Sequence, residues 1–470
     1  MTGRPGVVAP QVVGVVGAGT MGAGIAQLAC AGGMQTRLHD PVAEALERGA
    51  AAVARGLTKL GEKGRLDDAE VAAGRLQPVS GLEGLAGCDL VIEAAPERAD
   101  LKRELFSRLS AICGQSTVLA TNTSSIPVTS LAGAATRPER VVGMHFFNPP
   151  PLMRLLEVIP AEQTSPQALD LAKATGEAMG KHVIVAADGP GFLVNRCGRP
   201  FSMEALRLVA EGVATPQQVD RICRMAGGFR MGPFELMDLV GIDVGLEVAR
   251  SFTELSFGEP RWRPSPLQAR MVAAGRLGRK TGSGWYSYDD GPHRPDDAPP
   301  LSPQRAESLP ARAAAAGVEL VSCATASLGA QRRPRAVGYV LLPPPGSLLE
   351  LSRSPSTPER ACLRVEQLCA DAGLHHEWVE DAPGLVLGRI VPQLVNEALF
   401  AIGEGVGTAE DVDSGMTLGL NHPRGPIAWG RAIGFDRVLA AIDGLWEERR
   451  EERYRAAPLL RRAAQVGDLR

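Results

Sequence analysis

The chain has 470 residues, of which 44% are hydrophobic and 22% are charged, and its net charge is −3. This length exceeds what one hydrophobic core usually reaches, so we expect several domains, and the composition excludes a disordered or fibrous protein. The near-neutral charge argues against a nucleic-acid partner or an anionic membrane surface. The eight cysteines include no C-x-x-C pair, which predicts free thiols, no structural metal and a cytoplasmic location.

The order of apolar segments predicts the fold. Residues 11–16 are apolar on both faces, as in a strand of a buried parallel sheet. A glycine-rich turn and a helix over 23–31 follow, then a strand that ends at Asp40 and a helix over 42–60. This order predicts a doubly wound, Rossmann-like α/β sheet. Further expected elements are strands over 89–94, 117–120, 141–145 and 155–159 and a helix over 101–112.

The glycine turn is typical of a dinucleotide site. Gly17 allows the tight turn, Gly19 lets the backbone approach a pyrophosphate, and Gly22 lets the helix pack against the strand. Asp40, at the end of the next strand, is placed to hold ribose hydroxyls. A carboxylate there repels a 2′-phosphate and favours NAD over NADP, although the nearby Arg37 keeps NADP open.

Two strand ends carry a second candidate site. His145 ends one predicted strand and Glu157 lies in the next; each alone is more often structural, but together they suit alcohol oxidation. Imidazole takes the hydroxyl proton and the carboxylate fixes its tautomer. Ser124 offers a hydroxyl near the same edge, with a helix N-cap as the alternative. Asn195 is polar at an apolar helix start, where a buried structural amide is the alternative.

After residue 190 the sequence shows mainly the patterns of amphipathic helices. Part of this region repeats at an offset of 193 residues. Glu204 recurs as Glu397 and Asp220 as Asp413, which indicates a duplication. The predicted regions are a sheet domain over 1–187, a helical domain over 188–288, a linker and irregular segment over 289–335, a degenerate remnant of the sheet domain over 336–380, and a second helical repeat over 381–470.

The second copy lacks the candidate chemistry. Where His145 would recur stands Tyr339 or Val340, depending on a one-residue gap, and Asn195 maps to Gly388. We therefore expect two repeated all-α domains of which the second is catalytically silent.

The motifs together resemble the L-3-hydroxyacyl-CoA dehydrogenase family. Besides the glycine turn they are the segments 93–97, 122–125, 145–150, 156–157, 188–196, 232–243 and 278–286. The duplicated tail resembles the long members, of the 3-hydroxybutyryl-CoA and phenylacetate-pathway 3-hydroxyadipyl-CoA type. The resemblance implies NAD-dependent oxidation of (S)-3-hydroxyacyl-CoA to 3-ketoacyl-CoA, in fatty-acid β-oxidation, butanoate or phenylacetate catabolism.

The resemblance also implies residue roles. It makes His145 the base and Glu157 its partner, while Ser124 and Asn195 contact the substrate oxygen. The implied cofactor residues are Gly17, Gly19, Thr20, Met21, Gly22, Asp40, Glu97, Lys102, Asn122 and Asn148. For Glu97 and Lys102 a solvated charge pair is the alternative. Lys59 and Lys63 are candidates for the CoA phosphates, with solvated helix charges as the alternative.

Two other functions stay open at this point. One is a dehydrogenase of the same fold that acts on a hydroxy acid without CoA, and the other is a non-enzymatic NAD-binding protein. The expected partner is an acyl-CoA substrate, with no nucleic acid and no membrane. We expect the second helical repeat to pack on the first within one chain, in place of a partner subunit; a homo-oligomer and the acyl chain length stay open.

Overall fold

The computed structural model describes residues 9–289, 293–299, 301 and 308–469. The chain divides into two compact units, with the boundary between Leu193 and Val194. The first eight residues of the chain lie outside the described residues, as do residues 290–292, 300 and 302–307 of the predicted linker.

An eight-stranded sheet forms the centre of the first unit, in the order β3-β2-β1-β4-β5-β6-β7-β8. The strands are β1 (Val12–Val16), β2 (Gln35–His39), β3 (Leu76–Val79), β4 (Leu90–Glu93), β5 (Val118–Thr121), β6 (Val141–Phe146), β7 (Leu155–Pro160) and β8 (His182–Val185). The helices are α1 (Thr20–Ala31), α2 (Ala43–Glu62), α3 (Ala69–Ala73), α4 (Ala99–Ile112), α5 (Val128–Ala132) and α6 (Pro166–Ala178).

The strand directions confirm the predicted doubly wound sheet. Every neighbouring pair is parallel except β6 and β7, which are antiparallel. The strand order reverses between β1 and β4, and ligands of such sheets bind outside the carboxyl ends of the strands at this switch point. The turn after β1 is the glycine turn, so the topology places the predicted cofactor motif at the switch point.

Two strands of this sheet were not predicted. The edge strand β3 contains Pro78 and is partly exposed along its length, and β8 begins at the exposed His182. Both are four residues long. β3 carries no continuous apolar run, so periodicity does not reveal it. Residues 183–187 at β8 are all apolar, so for this strand the sequence did contain a signal.

The second unit combines helices with a four-stranded sheet in the order β12-β11-β10-β9. The strands are β9 (Leu320–Ser322), β10 (Val337–Val340), β11 (Leu348–Arg353) and β12 (His375–Glu380). The helices are α7 (Val194–Ala210), α8 (Pro216–Met225), α9 (Pro233–Val240), α10 (Ile242–Leu255), α11 (Pro266–Ala273), α12 (Leu309–Ala315), α13 (Glu359–Asp371), α14 (Leu387–Gly403), α15 (Ala409–Gly419), α16 (Pro426–Ile433), α17 (Phe435–Arg449) and α18 (Pro458–Val466).

The small sheet repeats the last four strands of the large one. The pair β9 and β10 is parallel, β10 and β11 are antiparallel, and β11 and β12 are parallel, as for β5 to β8. Its first strand β9 and the helix α12 lie within the segment 289–335, for which the sequence predicts a linker and irregular structure. The copy of the sheet domain therefore includes more of the chain than the segment 336–380, because β9 is three residues long and gives no sequence pattern.

The two helical copies build the same helix cap. Asp220 accepts hydrogen bonds from two amides in the first turn of α9, and Asp413 does the same for α16. A Cβ on Gly232 would lie 2.2 Å from Cγ of Asp220, and one on Gly425 would lie 2.2 Å from Cγ of Asp413. The repeated glycines are thus required by the close approach of each aspartate to its helix N-terminus.

The two helical copies contact each other through buried ion pairs, in which an arginine of each copy pairs with a glutamate of the other. Arg196 on α7 bonds Glu397 on α14 at 2.8 Å. Arg389 on α14 bonds Glu204 on α7, also at 2.8 Å. Since Arg389 and Glu397 lie 193 residues after Arg196 and Glu204, the two pairs are related as in a two-fold symmetric dimer. The second helical copy thus packs on the first through ion pairs that are related by this symmetry.

No helix in the described part of the chain is long and apolar enough to cross a membrane. The eight cysteines are all buried and free. The described residues contain no group of three His, Cys, Asp or Glu side chains that could bind a metal ion.

Replacing Arg389 by Met should destabilise the protein by about 3–5 kcal/mol, because it leaves the buried Glu204 without its main cation. Thermal unfolding followed by calorimetry measures the change. The matched control is Arg431→Met, which removes the exposed pair with Asp468 and should cost less than about 1 kcal/mol. Equal effects of the two substitutions would contradict a structural role for the buried pairs.

Candidate active site

The glycine turn has the geometry of an anion site. Gly17 has a φ of +101°, and a Cβ there would lie 2.6 Å from the carbonyl oxygen of Ala94. A Cβ on Gly22 would lie 1.7 Å from the carbonyl oxygen of Gly17. No described atom lies within 4 Å of where a Cβ on Gly19 would stand, and Thr20 begins α1 exposed to solvent. The first turn of α1 is thus open to a pyrophosphate.

Asp40 borders this turn. One of its carboxylate oxygens accepts the amide of Ala18 at 2.8 Å and the other accepts the amide of Val42 at 3.0 Å. Arg37 donates to the carbonyl oxygen of Gly84 at 2.8 Å, so its guanidinium already has a partner in the protein. A free helix N-terminus beside an oriented carboxylate fits the pyrophosphate and ribose of NAD.

A buried lysine lies at the carboxyl end of β4. Lys102 on α4 is 1% exposed, and its Nζ lies 2.7 Å from Glu93 and 3.2 Å from Glu97. Glu93 is fully buried and also accepts the hydroxyl of Thr121 at 2.8 Å. Burial excludes the solvated charge pair that was the alternative for Lys102. The cluster instead joins the ends of β4 and β5 to α4.

Glu97 organises the loop after β5. Its carboxylate accepts the hydroxyl of Thr123 at 2.6 Å, the amide of Ser124 at 2.9 Å and the hydroxyl of Ser125 at 2.9 Å. Burial acts to raise the pKa of Glu97, but the Lys102 ammonium and these hydrogen bonds outweigh it, and the pKa lies below its usual value. The ionised carboxylate therefore holds the backbone of Ser124 in place.

Asn122 links this loop to β6. Its side-chain oxygen accepts the amide of Phe146 at 2.8 Å, one residue beyond His145. Asn148 lies exposed in the loop that follows β6. The side chain of Asn122 thus fixes the position of the Phe146 backbone at the end of β6. The cofactor contacts of both asparagines remain predictions.

His145 and Glu157 face each other on the antiparallel strands β6 and β7, at paired positions of the register. Nδ1 of His145 lies 2.7 Å from a carboxylate oxygen of Glu157. The other carboxylate oxygen accepts the amide of Leu193 at 3.1 Å. His145 is 5% exposed and Glu157 is fully buried, so the bond is shielded from water.

This bond determines which ring nitrogen is available for chemistry. With Nδ1 donating to the carboxylate, Nε2 carries the lone pair and can accept a proton. The ring lies between two aromatic side chains, with centroid distances of 4.7 Å to Phe147 and 5.7 Å to Phe192. Chemically, such an arrangement can orient an imidazole as a base and stabilise its positive form with a buried carboxylate.

The other predicted residues are distributed over the chain. Lys59 lies in the last turn of α2 and Lys63 directly follows that helix, both exposed. Asn195 lies in the first turn of α7, in the second unit, where it lines a cavity of about 200 Å³. Their contacts with a substrate stay predictions.

The second copy retains the glutamate but not the histidine. The register of β10 and β11 places Val340 opposite Glu350, so the one-residue gap is resolved in favour of Val340. Glu350 accepts the amides of Val386 and Leu387 at 2.7 and 3.0 Å. A Cβ on Gly388 would lie 2.9 Å from Val340, so the place of the asparagine is closed by packing.

Glu93 and Thr121 also belong to the site, and neither was predicted from the sequence. The available signal was Glu93 itself, a carboxylate at the end of an otherwise apolar strand. Nothing in the spacing showed that Lys102, nine residues later, turns back to neutralise it, because that depends on how α4 packs against the sheet.

The sequence matches two family models. One is described as the NAD binding domain of 3-hydroxyacyl-CoA dehydrogenase and matches residues 12–189. The other is described as the C-terminal domain of 3-hydroxyacyl-CoA dehydrogenase and matches residues 191–288 and again residues 384–470. The double match of the second model agrees with the repeat at the offset of 193 residues.

Relatives of full length and of shorter length are known. The chain is 37% identical to a 3-hydroxyadipyl-CoA dehydrogenase of Escherichia coli, with 97% of each chain covered. It is 44% identical to a protein of Deinococcus radiodurans named "Probable 3-hydroxybutyryl-CoA dehydrogenase", over 58% of this chain and 99% of that protein. The crystal structure of a 3-hydroxybutyryl-CoA dehydrogenase of E. coli superposes with a TM-score of 0.89 and 35% identity, covering 98% of this chain and 99% of the other.

Replacing Asp40 by Ala should raise the dissociation constant for NADH about 10-fold, because the ribose loses a charged acceptor and the turn loses the bond to the Ala18 amide. The substitution should also narrow the preference for NADH over NADPH. Fluorescence titration with both nucleotides measures this. The exposed Asp67 provides the control variant Asp67→Ala; a loss of affinity there as large as in Asp40→Ala would speak against the assignment.

Glu350 should make stability depend on pH. Burial raises the pKa of Glu350 to about 8, whereas an unfolded Glu titrates near 4.3. The group therefore contributes full stability below about pH 4.3, and this contribution is lost as the pH rises toward 8, at roughly 1.4 kcal/mol per pH unit. In urea unfolding, Glu350→Gln should gain stability relative to the parent between pH 5 and 8. A difference that stays constant over this interval would contradict the raised pKa.

Proposed function

Because the chain belongs to the 3-hydroxyacyl-CoA dehydrogenase family, we propose that His145 and Glu157 are the proton-accepting pair of its reaction. The reaction is the NAD-dependent oxidation of 3-hydroxyacyl-CoA to 3-ketoacyl-CoA, and the family supplies both the reaction class and the cofactor. The observation that carries the residue assignment is the shielded 2.7 Å bond between the two side chains at the edge of the nucleotide-binding sheet.

The residues of the glycine turn would hold the cofactor. Gly17 and Gly22 allow the tight turn, Gly19 leaves room for the pyrophosphate at the start of α1, and Asp40 would accept the ribose hydroxyls. When bound, NAD accepts the hydride that leaves the carbinol carbon of the substrate. The cluster of Lys102 and its glutamates keeps the neighbouring strand ends in place.

Proton transfer is the task of the protein side chains. Nε2 of His145 removes the proton of the 3-hydroxyl group while the C–H bond breaks, and Glu157 stabilises the imidazolium that forms. In the reverse direction the protonated ring returns this proton to the ketone oxygen. The pair thus handles only the proton, and both electrons leave with the hydride.

Two further side chains would orient the substrate oxygen. We assign this role to Ser124 and Asn195, by resemblance to the family. For Ser124 the support is its backbone bond to the ionised Glu97, which holds the residue on the same loop that contacts β6. The (S) configuration of the substrate also comes from the family.

The long form of the chain bears on assembly and substrate. Because the second helical copy already contacts α7 by the exchanged ion pairs, we propose that it substitutes for a partner subunit. By resemblance to the family, Lys59 and Lys63, which are both exposed, are the proposed contacts of the CoA phosphates. The names of the relatives point to acyl groups of four carbons or to a dicarboxylic one. A cytoplasmic location stays a prediction from the cysteine pattern.

Replacing His145 by Gln should lower kcat by at least about 100-fold, because no other group takes the proton. NADH binding, measured by fluorescence, should stay close to that of the parent. Formation of NADH from 3-hydroxybutyryl-CoA measures turnover, and the exposed His182→Gln on β8 is the matched control. Turnover of His145→Gln within a few-fold of the parent would refute the base assignment.

A further inference from the structure

An apolar cavity begins at Asn195 in the second unit. It has a volume of about 200 Å³ and lies between α7, α9 and α10. Val240 and Val244 on its wall are about half exposed and leave an apolar surface for a ligand. This is the character expected of a pocket for an acyl chain.

Arg199 lies one helical turn after Asn195 on the same face of α7. It lines both this cavity and a second one of about 290 Å³, which continues past Arg199 and Ser202. The described residues that line the two cavities include no Asp or Glu. An acyl chain that starts at Asn195 would therefore reach a guanidinium about 6 Å further along the helix axis.

This guanidinium has no anionic partner among the residues that the structure describes. Arg199 makes no ion pair or hydrogen bond with any residue that the structure describes, and its Nε is buried. Arg196, on the same helix, bonds two carboxylates. Burial lowers the pKa of Arg199 to about 10, the direction expected for a cation removed from water without a counterion.

An aromatic ring holds the side chain in position. The guanidinium carbon of Arg199 stands 4.7 Å from the ring centroid of Phe252. Stacking uses the face of the guanidinium and leaves the N–H groups on its edge free. Those N–H groups match the two oxygens of a carboxylate.

We propose that Arg199 selects substrates whose acyl group ends in a carboxylate, so that the preferred substrate is the CoA thioester of a 3-hydroxy dicarboxylic acid. The inference rests on the proposed function, because it takes Asn195 as the contact of the 3-oxygen. A terminal carboxylate pairs with the buried cation in a bidentate manner. An uncharged acyl group of the same length removes water from the guanidinium and returns no partner, so it is rejected.

The test compares two thioesters of equal length, 3-hydroxyadipyl-CoA and 3-hydroxyhexanoyl-CoA. The parent enzyme should have a kcat/KM at least about 30-fold higher for the first. In Arg199→Met the ratio of the two kcat/KM values should fall by about the same factor. Arg250→Met, which changes an exposed arginine on α10, is the matched control and should keep the parental ratio.

The possible outcomes distinguish a failure of the proposed dehydrogenase function from a failure of the proposed role of Arg199. Oxidation of neither thioester by the parent enzyme would overturn the proposed function. Oxidation of both with equal kcat/KM, or an unchanged ratio in Arg199→Met, would overturn only the role of Arg199. Should Arg199→Met fail to fold, competitive inhibition of the parent by adipyl-CoA and by hexanoyl-CoA decides: tighter inhibition by adipyl-CoA supports the carboxylate site, and equal inhibition contradicts it.

Discussion

A hydrogen bond of 2.7 Å between Nδ1 of His145 and Glu157 is the constraint on which the site depends. It exists because β6 and β7 run antiparallel in an otherwise parallel sheet, which places the two residues at paired positions. The second carboxylate oxygen is occupied by the amide of Leu193, so the carboxylate cannot rotate without losing a bond. The lone pair on Nε2 is then available because Nδ1 is already committed.

The duplicated copy separates the structural role of this glutamate from its chemical role. Glu350 still accepts two amides at the start of α14, although Val340 stands where the histidine would be. A buried carboxyl that ties a strand to a helix start contributes to the fold without any base beside it. This structural role is independent of the histidine, because Val340 replaces the histidine and both amide bonds of Glu350 are still made.

Arg196 and Arg199, both on α7, show that buried arginines can serve different purposes. Arg196 joins α7 to α14 through Glu397, and Arg389 makes the equivalent bond to Glu204, so two related ion pairs hold the helical copies together within a single chain. Arg199, less than one turn away, stacks on Phe252 and lacks a counterion among the described residues. Buried charges that are paired stabilise the packing of helices, whereas an unpaired one prepares a site for an anionic ligand.

The sequence by itself predicts the glycine turn, Asp40 and the repeat, because a tight turn, a strand end and a constant offset are local or periodic features. The pairing of His145 with Glu157 could be predicted as chemistry, but their distance came from the antiparallel register. Only the tertiary structure decided that Lys102 is buried against Glu93 and that Val340 faces Glu350. Such contacts join residues on different elements, and a sequence contains no record of which faces of those elements will meet.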